Sequence, residues 1–596
     1  MNDILKSYNA LSSSSSRSDV SNVLNSIINA SPFTFDRESR TELIKNILQD
    51  LKSQSTKSKL TSKDAALALL AVKTLGKDPS GSAFLASSTN LSTLLGFATT
   101  MKDDQDASCE ALRCIANALL LVEGARSTFI TKEVNGGDTC ITMLEKSSSP
   151  DTIFILARIL FLSTASGPSY IETVVDGKFH GRTIVEILGS KLDLMTSSLR
   201  NNTPVAKEAI VDILKFVFNL VLHYPKMVDA EPQHSESHNE KVIGDFWSPK
   251  LDGLLPALLR TFASLPPTSP APLQAPLTHV IHSLITIPIN SSLKPLWFGQ
   301  AGSSSARSST SNSPKSRSPH ESAPESRSDS PTRSHQPGSP IISTLDRALS
   351  SVLSAGRRSL SRTSSPGTSF PPIDVLQRAY ELLDQSFLHY FPGDVDVDHI
   401  SVRERVKAET TDSLDDILSP LVVLVTRICL GDEGSKVRVK QWLIPDDLDR
   451  TSPLEQRSDL LGRCLRLLSS VYHPRVKDAC GELLYALSDS NATTLSALVG
   501  YGNVAGFLFH KGVLSAPVPN ESSSTNIPTT TGDGVPLNPI TGIAEQPKLD
   551  LPEMTEEEKE REMEKLFVLF DRLEKTGALP KENNPIRKAI HEGKMG

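Results

Sequence analysis

The chain has 596 residues, room for several domains or one long solenoid, and its 38% hydrophobic and 22% charged residues support a folded core diluted by polar stretches. Lys and Arg number 62 against 69 Asp and Glu, a net charge of −7, so neither a nucleic-acid nor an anionic-membrane partner is suggested. Aromatics make up only 5%, which suits aliphatic helix packing better than a sheet sandwich.

The N-terminus lacks the apolar core of a signal peptide, and no run approaches the ~18 apolar residues of a membrane span. The six cysteines (109, 114, 140, 429, 464 and 480) are scattered and never form CxxC. Cys109, Cys114, Cys464 and Cys480 fall in helical patterns, which reads as buried thiols in a reducing compartment. A soluble cytoplasmic protein is expected, with recruitment to the cell cortex or plasma membrane as an added option.

In chain order, residues 1–60 are a polar helical start with amphipathic stretches near 18–29 and 39–53. Strongly apolar helices follow over 61–299: Ala65–Leu75, Leu91–Ala98, Ala107–Val122, Ile153–Leu162, Val205–Leu222, Leu251–Leu265 and Leu277–Ile287. Leu112, Ile115, Ala116 and Leu119 repeat at i, i+3, i+4, i+7, a single apolar face. Residues 300–371 change to Ser, Pro and Arg, with repeated Ser-Pro steps such as Ser313-Pro314 and Ser330-Pro331. Such a segment cannot bury enough apolar surface to offset its ordering entropy, so a disordered insertion is expected. Helices resume over 372–515 at Ile373–Phe387, Leu414–Leu430, Leu460–Val471 and Val476–Leu487. A linker is expected at 516–552 and a helical tail at 553–596. The tail helix, Thr555–Lys575, opens on the capping box Thr555-Glu-Glu-Glu558, closes at Lys575-Thr-Gly577, and bears the apolar face Leu566, Phe567, Leu569, Phe570 and Leu573.

Four of these helices carry a base at a comparable point: Lys73, Arg113, Arg158 and Lys215. The best pair reads Glu110-Ala-Leu-Arg-Cys-Ile-Ala-Asn117 and Asp212-Ile-Leu-Lys-Phe-Val-Phe-Asn219, each with acid, apolar, Leu, base, then Asn one turn on. The bases stand 40 residues apart from 73 to 113, 45 from 113 to 158, and 57 from 158 to 215. The first two intervals match armadillo and HEAT units of roughly 40–47 residues, and the third allows an insertion. The expected fold is therefore an all-α armadillo/HEAT-repeat superhelix, whose concave groove holds a partner. The base–Asn pairs are expected to form a polar ladder in that groove. Against this stands the bland reading of a solvated helix face, with each Asn bonded to a neighbouring backbone.

Other signals are weaker. Lys436, Arg438 and Lys440 form a basic cluster that is either solvated or a seat for a phosphoserine or acidic segment. Gly500-Tyr-Gly-Asn503-Val-Ala-Gly506 has no following Lys-Ser/Thr and no preceding strand, so a turn between helices is expected rather than a phosphate loop. His279 and His282 have no further ligand at metal spacing, and no GxSxG, Walker or HExxH pattern occurs. No cofactor, metal or catalytic residue is expected. An import adaptor with an armadillo array would place Asn one turn after Trp. Here Trp247, Trp297 and Trp442 are followed at i+4 by Leu251, Ala301 and Asp446.

Several segments together resemble the synembryn family. They are the Glu110–Asn117 helix, Arg158-Ile-Leu-Phe-Leu162, Phe216-Val-Phe-Asn219-Leu, Pro276–Pro288, Val476–Gly506, Asn538-Pro-Ile-Thr-Gly542, and Met554–Glu560 leading to Lys565–Leu573. The resemblance implies an exchange factor and folding chaperone for the α-subunits of heterotrimeric G proteins. Such a factor needs no covalent catalysis and acts by differential binding, so a monomeric binding protein is expected and not an enzyme. It implies that the groove takes the C-terminal helix of the α-subunit, with Lys73, Lys77 and Asn117 at that contact, and that the tail reaches a second surface of the G protein. The Ser-rich insertion departs from the family pattern. Ser522–Thr531 is a poor match to the acidic phosphorylatable segment of animal members. The alternative is a repeat scaffold or adaptor without exchange activity.

Overall fold

The computed structural model describes residues 3–53, 58–101, 103–165, 168–228, 247–299, 374–513 and 535–544, with scattered positions between 555 and 564. The insertion expected at 300–371 lies outside the described residues, as do Leu566, Phe567, Leu569, Phe570 and Leu573 of the tail. Regular structure among the described residues is helical, with isolated bridges only at Phe179–Arg182 and Leu537–Ala544. No helix there is long and apolar enough to cross a membrane.

Apolar sequence and strong end signals define each helix. Ala65–Leu75 is apolar almost all round and buries Ala65, Ala68, Leu69, Ala71, Val72 and Leu75 between its neighbours. It is led in by the reciprocal Thr61–Asp64 cap and ends at Gly76. Asp104 caps Gln105–Leu121 by accepting from the Ala107 amide at 3.0 Å. Thr183 and Glu186 form a full capping box for Ile184–Arg200.

The helices recur as units of short, medium and long members. Pro79–Leu85, Ser88–Thr100 and Gln105–Leu121 form one; Glu123–Phe129, Gly136–Lys146 and Pro150–Ala165 the next; Pro168–Asp176, Ile184–Arg200 and Ala206–Val228 a third. Unit starts at 79, 123 and 168 are 44 and 45 residues apart, the armadillo period. The last helix of each unit joins one continuous row: α1 (Arg17–Ile28), α2 (Ala65–Leu75), α3 (Gln105–Leu121), α4 (Pro150–Ala165), α5 (Ala206–Val228), α6 (Leu277–Leu284), α7 (Leu414–Gly431) and α8 (Pro474–Leu487). Each packs on the next, while the middle helices stack as a parallel outer row and pair with α3 to α8 in turn. One hydrophobic core runs through both rows. This is an α-helical repeat superhelix. It continues across the insertion, because α6 packs on α7 and Leu254–Ser264 meets Val375–Tyr390.

Several expectations change. The polar start holds a third helix, Asp3–Ala10, besides Arg17–Ile28 and Arg37–Lys52. Gly500–Gly506 is not a turn as a whole. Gly500 alone turns the chain, at φ +86°, and Tyr501–His510 is helix. Within the stretch expected as linker, residues 535–544 form a compact turn held against the end of the superhelix. All six cysteines are free and buried.

Candidate functional site

The recurring bases lie along one edge of the inner row; Lys73, Arg113 and Arg158 each reach an acid on the next helix, and Lys215 turns to an acid on its own. Lys73 of α2 is ion-paired with Glu110 of α3 at 2.6 Å. Arg113, one turn on, pairs with that same Glu110 and places Nη2 2.7 and 2.6 Å from the two carboxylate oxygens of Asp151 at the start of α4. Arg158 of α4 donates Nε to Asp212 of α5 at 2.9 Å, and Lys215 approaches Asp212 at 3.6 Å. Arg158 also lies over the Phe154 ring at 4.4 Å, and Lys215 over Phe161 at 5.9 Å.

Glu110 and Asp212 lie deeper than the bases they hold. The Asp212 side chain is 2% exposed, against 44% for Arg158 and 38% for Lys215. Burial pushes the Asp212 carboxyl above its ordinary range despite the two bases beside it. Burial opposes the Arg113 charge as well, but Glu110 and Asp151 outweigh it and hold its pKa up. The ladder therefore ties α2 to α5 while leaving the outer faces of the bases in solvent. Sequence reasoning quoted Glu110 and Asp212 but gave them no role, and passed over Asp151. For Glu110 and Asp212 the signal is the acid three residues before the base; Asp151 carries none.

The two asparagines of the motif part company. Asn219 is 8% exposed and its amide nitrogen donates to the Phe161 carbonyl at 3.2 Å and to Thr164 Oγ1 at 3.0 Å. Its amide nitrogen is thus occupied in the α4–α5 joint and not offered to the groove, which corrects the expected ladder at that point. Asn117 is half-buried and its side chain makes no hydrogen bond among the described residues. Lys77, just past the end of α2, is exposed.

At the other end of the row, the loop after α6, the helix α7 and the helix α8 enclose an open groove of about 1170 Å³. Ile289, Val423 and Leu430 give it apolar surface, and Arg427, Arg475 and Glu482 charge its rim. Between ladder and groove stand His279 and His282 of α6, with rings 6.4 Å apart. Burial lowers His279 to about 4, helped by the Lys215 charge and by His282. No group of three or more metal-ligating side chains gathers among the described residues.

The basic cluster at Lys436, Arg438 and Lys440 sits on Glu433–Leu443 and is largely occupied. Lys436 pairs with Glu433 at 2.7 Å and with Asp489; Arg438 pairs with Asp374 and stacks 4.8 Å from Trp442. Lys440 is half-buried beside them.

A family model described as guanine nucleotide exchange factor synembryn (Ric8) matches residues 68–594. A synembryn-like chaperone of Schizosaccharomyces pombe is 27% identical over 186 residues, 30% of this chain and 35% of its own length. The chaperone Ric-8A of Rattus norvegicus is 30% identical over 169 residues, 27% of this chain and 32% of its own. The matched stretch thus spans about a third of the curated relatives' length. An engineered protein of known structure aligns over 87% of this chain with a TM-score of 0.41 and 13% identity, too distant to carry an argument.

Proposed function

The chain belongs to the synembryn family of guanine nucleotide exchange factors, and from that premise we propose that it is an exchange factor and folding chaperone for the α-subunits of heterotrimeric G proteins. The match over residues 68–594, which runs from the second inner helix into the tail, carries this reading. No covalent step is needed. A protein that binds the nucleotide-free α-subunit more tightly than the nucleotide-bound one shifts the population toward GDP release.

The inner row supplies the lever. An amphipathic helix drawn from the α-subunit would lay its apolar side on Ile289, Val423 and Leu430, with Arg427, Arg475 and Glu482 at its flanks. The unpaired Asn117 amide and the exposed Lys77 offer polar contacts at the far end of the row. The same grip on an immature α-subunit would cover apolar surface until nucleotide binding completes the fold. The tail would hold a second surface of the G protein.

Release of labelled GDP from a purified α-subunit, with and without the protein, tests the reading. Faster release that requires the α-subunit's C-terminal helix is expected. Binding without any change in release would instead leave a repeat scaffold, and no binding would end the proposal.

A further inference from the structure

Beyond the row of ladder and groove, the C-terminal end of the superhelix holds a segment of its own chain in a built seat. Asn538–Gly542 forms a closed turn: the Asn538 amide donates to Ile543 O and the Gly542 amide to Asn538 O, both at 2.8 Å. Asn538 Oδ1 accepts from the amides of Ile540 at 2.9 Å and Thr541 at 3.2 Å. The turn is received by the first residues of the helix Tyr501–His510. The Tyr501 amide donates to Pro539 O at 2.9 Å and the Gly502 amide to Ile540 O at 2.8 Å. These are helix N-terminal donors with no partner within their own helix, satisfied here from a distant segment.

Arg450 locks the other side. It is 9% exposed, and its guanidinium donates to Gly542 O and to Leu498 O, each at 2.9 Å, while its own carbonyl accepts from the Ala544 amide at 2.9 Å. The approach is close enough to require glycine on both sides. Gly500 has φ +86° and a Cβ there would lie 2.5 Å from the Thr541 carbonyl carbon; Gly542 has φ +70° and a Cβ there would lie 2.9 Å from Gly500 N. Ile540 is 62% exposed, so main-chain hydrogen bonds and one buried guanidinium hold the turn, not apolar burial.

We propose that Arg450, Gly500 and the start of Tyr501–His510 are a binding site for the Asn-Pro-Ile-Thr-Gly turn, and that its occupancy fixes the point from which the tail leaves the superhelix. Chain geometry gives the consequence. Measured from Val513, Thr555 is 42 residues away, a span of up to ~150 Å; measured from the seated Ala544 it is 11 residues away, at most ~40 Å. Seating the turn therefore confines the tail to one end of the superhelix and raises its effective concentration there. Only the use made of that confinement rests on the proposed exchange function.

The test uses the full chain and no G protein, so it stands apart from the GDP-release assay. Amide hydrogen exchange at Tyr501 and Gly502 is compared between the natural protein and Gly542→Val, a change on the turn itself that leaves the superhelix residues intact. Protection of both amides in the natural protein is expected, with at least tenfold faster exchange in the variant and no change in α2 to α5. Spin labels at Phe509→Cys and Thr555→Cys are expected to give a bounded distance distribution that widens to longer distances with Gly542→Val. Rapid exchange of Tyr501 and Gly502 in the natural protein overturns the seat. Loss of protection with an unchanged distance distribution overturns the confinement.

Discussion

Arg113 grips Asp151 across the joint between α3 and α4 with both carboxylate oxygens within 2.7 Å of Nη2, while its Nη1 holds Glu110 on its own helix. Glu110 in turn takes Lys73 from the helix before. One guanidinium therefore links three successive repeats. A base that recurs at the repeat period has a structural reason to recur, whatever it offers a partner.

That network gives a first prediction. Arg113→Ala leaves Glu110 and Asp151 partly buried with one charge fewer, and should cost about 1–2 kcal/mol, above the ~0.2–1 of a fully exposed pair. A double-mutant cycle with Asp151→Ala, read by denaturant unfolding, should return a coupling of about 0.5–3 kcal/mol. Simple additivity would show that the pair contributes nothing to the joint.

The asparagines should separate cleanly. Asn219→Ala removes two donors to Phe161 O and Thr164 Oγ1 in a buried joint and should destabilise the fold by about 1–2 kcal/mol. Asn117→Ala, with no internal bond to lose, should change stability by less than about 0.5 kcal/mol and weaken α-subunit binding. Equal losses of melting temperature in both variants would contradict this division.

That pair also marks where sequence reading stops. The helix Ala65–Leu75 and the repeat spacing were legible, because nearly continuous apolar runs and a 40-to-45-residue period are local or one-dimensional signals. Asn117 and Asn219 occupy the same motif position, yet only Asn219 faces Thr164, a neighbour 55 residues away. Asp151 and Arg113 are 38 residues apart and no pattern within either helix announces their contact. Ile184–Arg200 escaped notice because Lys191 and Asp193 interrupt its apolar run, although Lys191 caps the carbonyls of Glu145 and Ser147 at 2.9 and 2.6 Å. The docked turn at 538–542 had only Pro, Gly and Asn to show, and its partners are main-chain amides and the guanidinium of Arg450, 92 residues away from Gly542.

His279 makes stability depend on pH. In the folded chain burial depresses it to about 4, with Lys215 of α5 and His282 adding positive charge beside it, from an ordinary value of 6.5. Lys407, Glu409 and Asp412 line the same pocket. Between those values the unfolded chain binds a proton that the folded chain does not. Its contribution is thus full above pH 6.5 and is lost as pH falls from 6.5 toward 4. His279→Gln should lose less stability between pH 7 and pH 5 than the natural protein, measured by urea midpoints. An identical decline would remove His279 from the account.

The tail prediction concerns function. Deleting residues 553–596 should leave the superhelix folded, because among the described residues its core lies before residue 514. The shortened protein should bind the C-terminal helix of an α-subunit yet stimulate GDP release poorly. Undiminished release would refute a clamping role for the tail.

The insertion should prove dispensable for assembly of the superhelix. The parts on its two sides are joined by side chains that reach back across it: Arg378 donates to Leu265 O at 2.8 Å, and Arg427 of α7 donates to Ile285 O just past α6. The stacking of α6 on α7 and of Leu254–Ser264 on Val375–Tyr390 adds a packed interface. Proteolytic cutting within 303–364 should therefore leave a single particle of nearly native mass on size-exclusion chromatography. Replacing those residues by a short Gly-Ser link should shift stability little, since loop-closure entropy changes by only ~0.6 kcal/mol per doubling of length. Separation of the nicked chain into two fragments under native conditions would mean that the covalent connection, rather than the α6–α7 joint, holds the halves together.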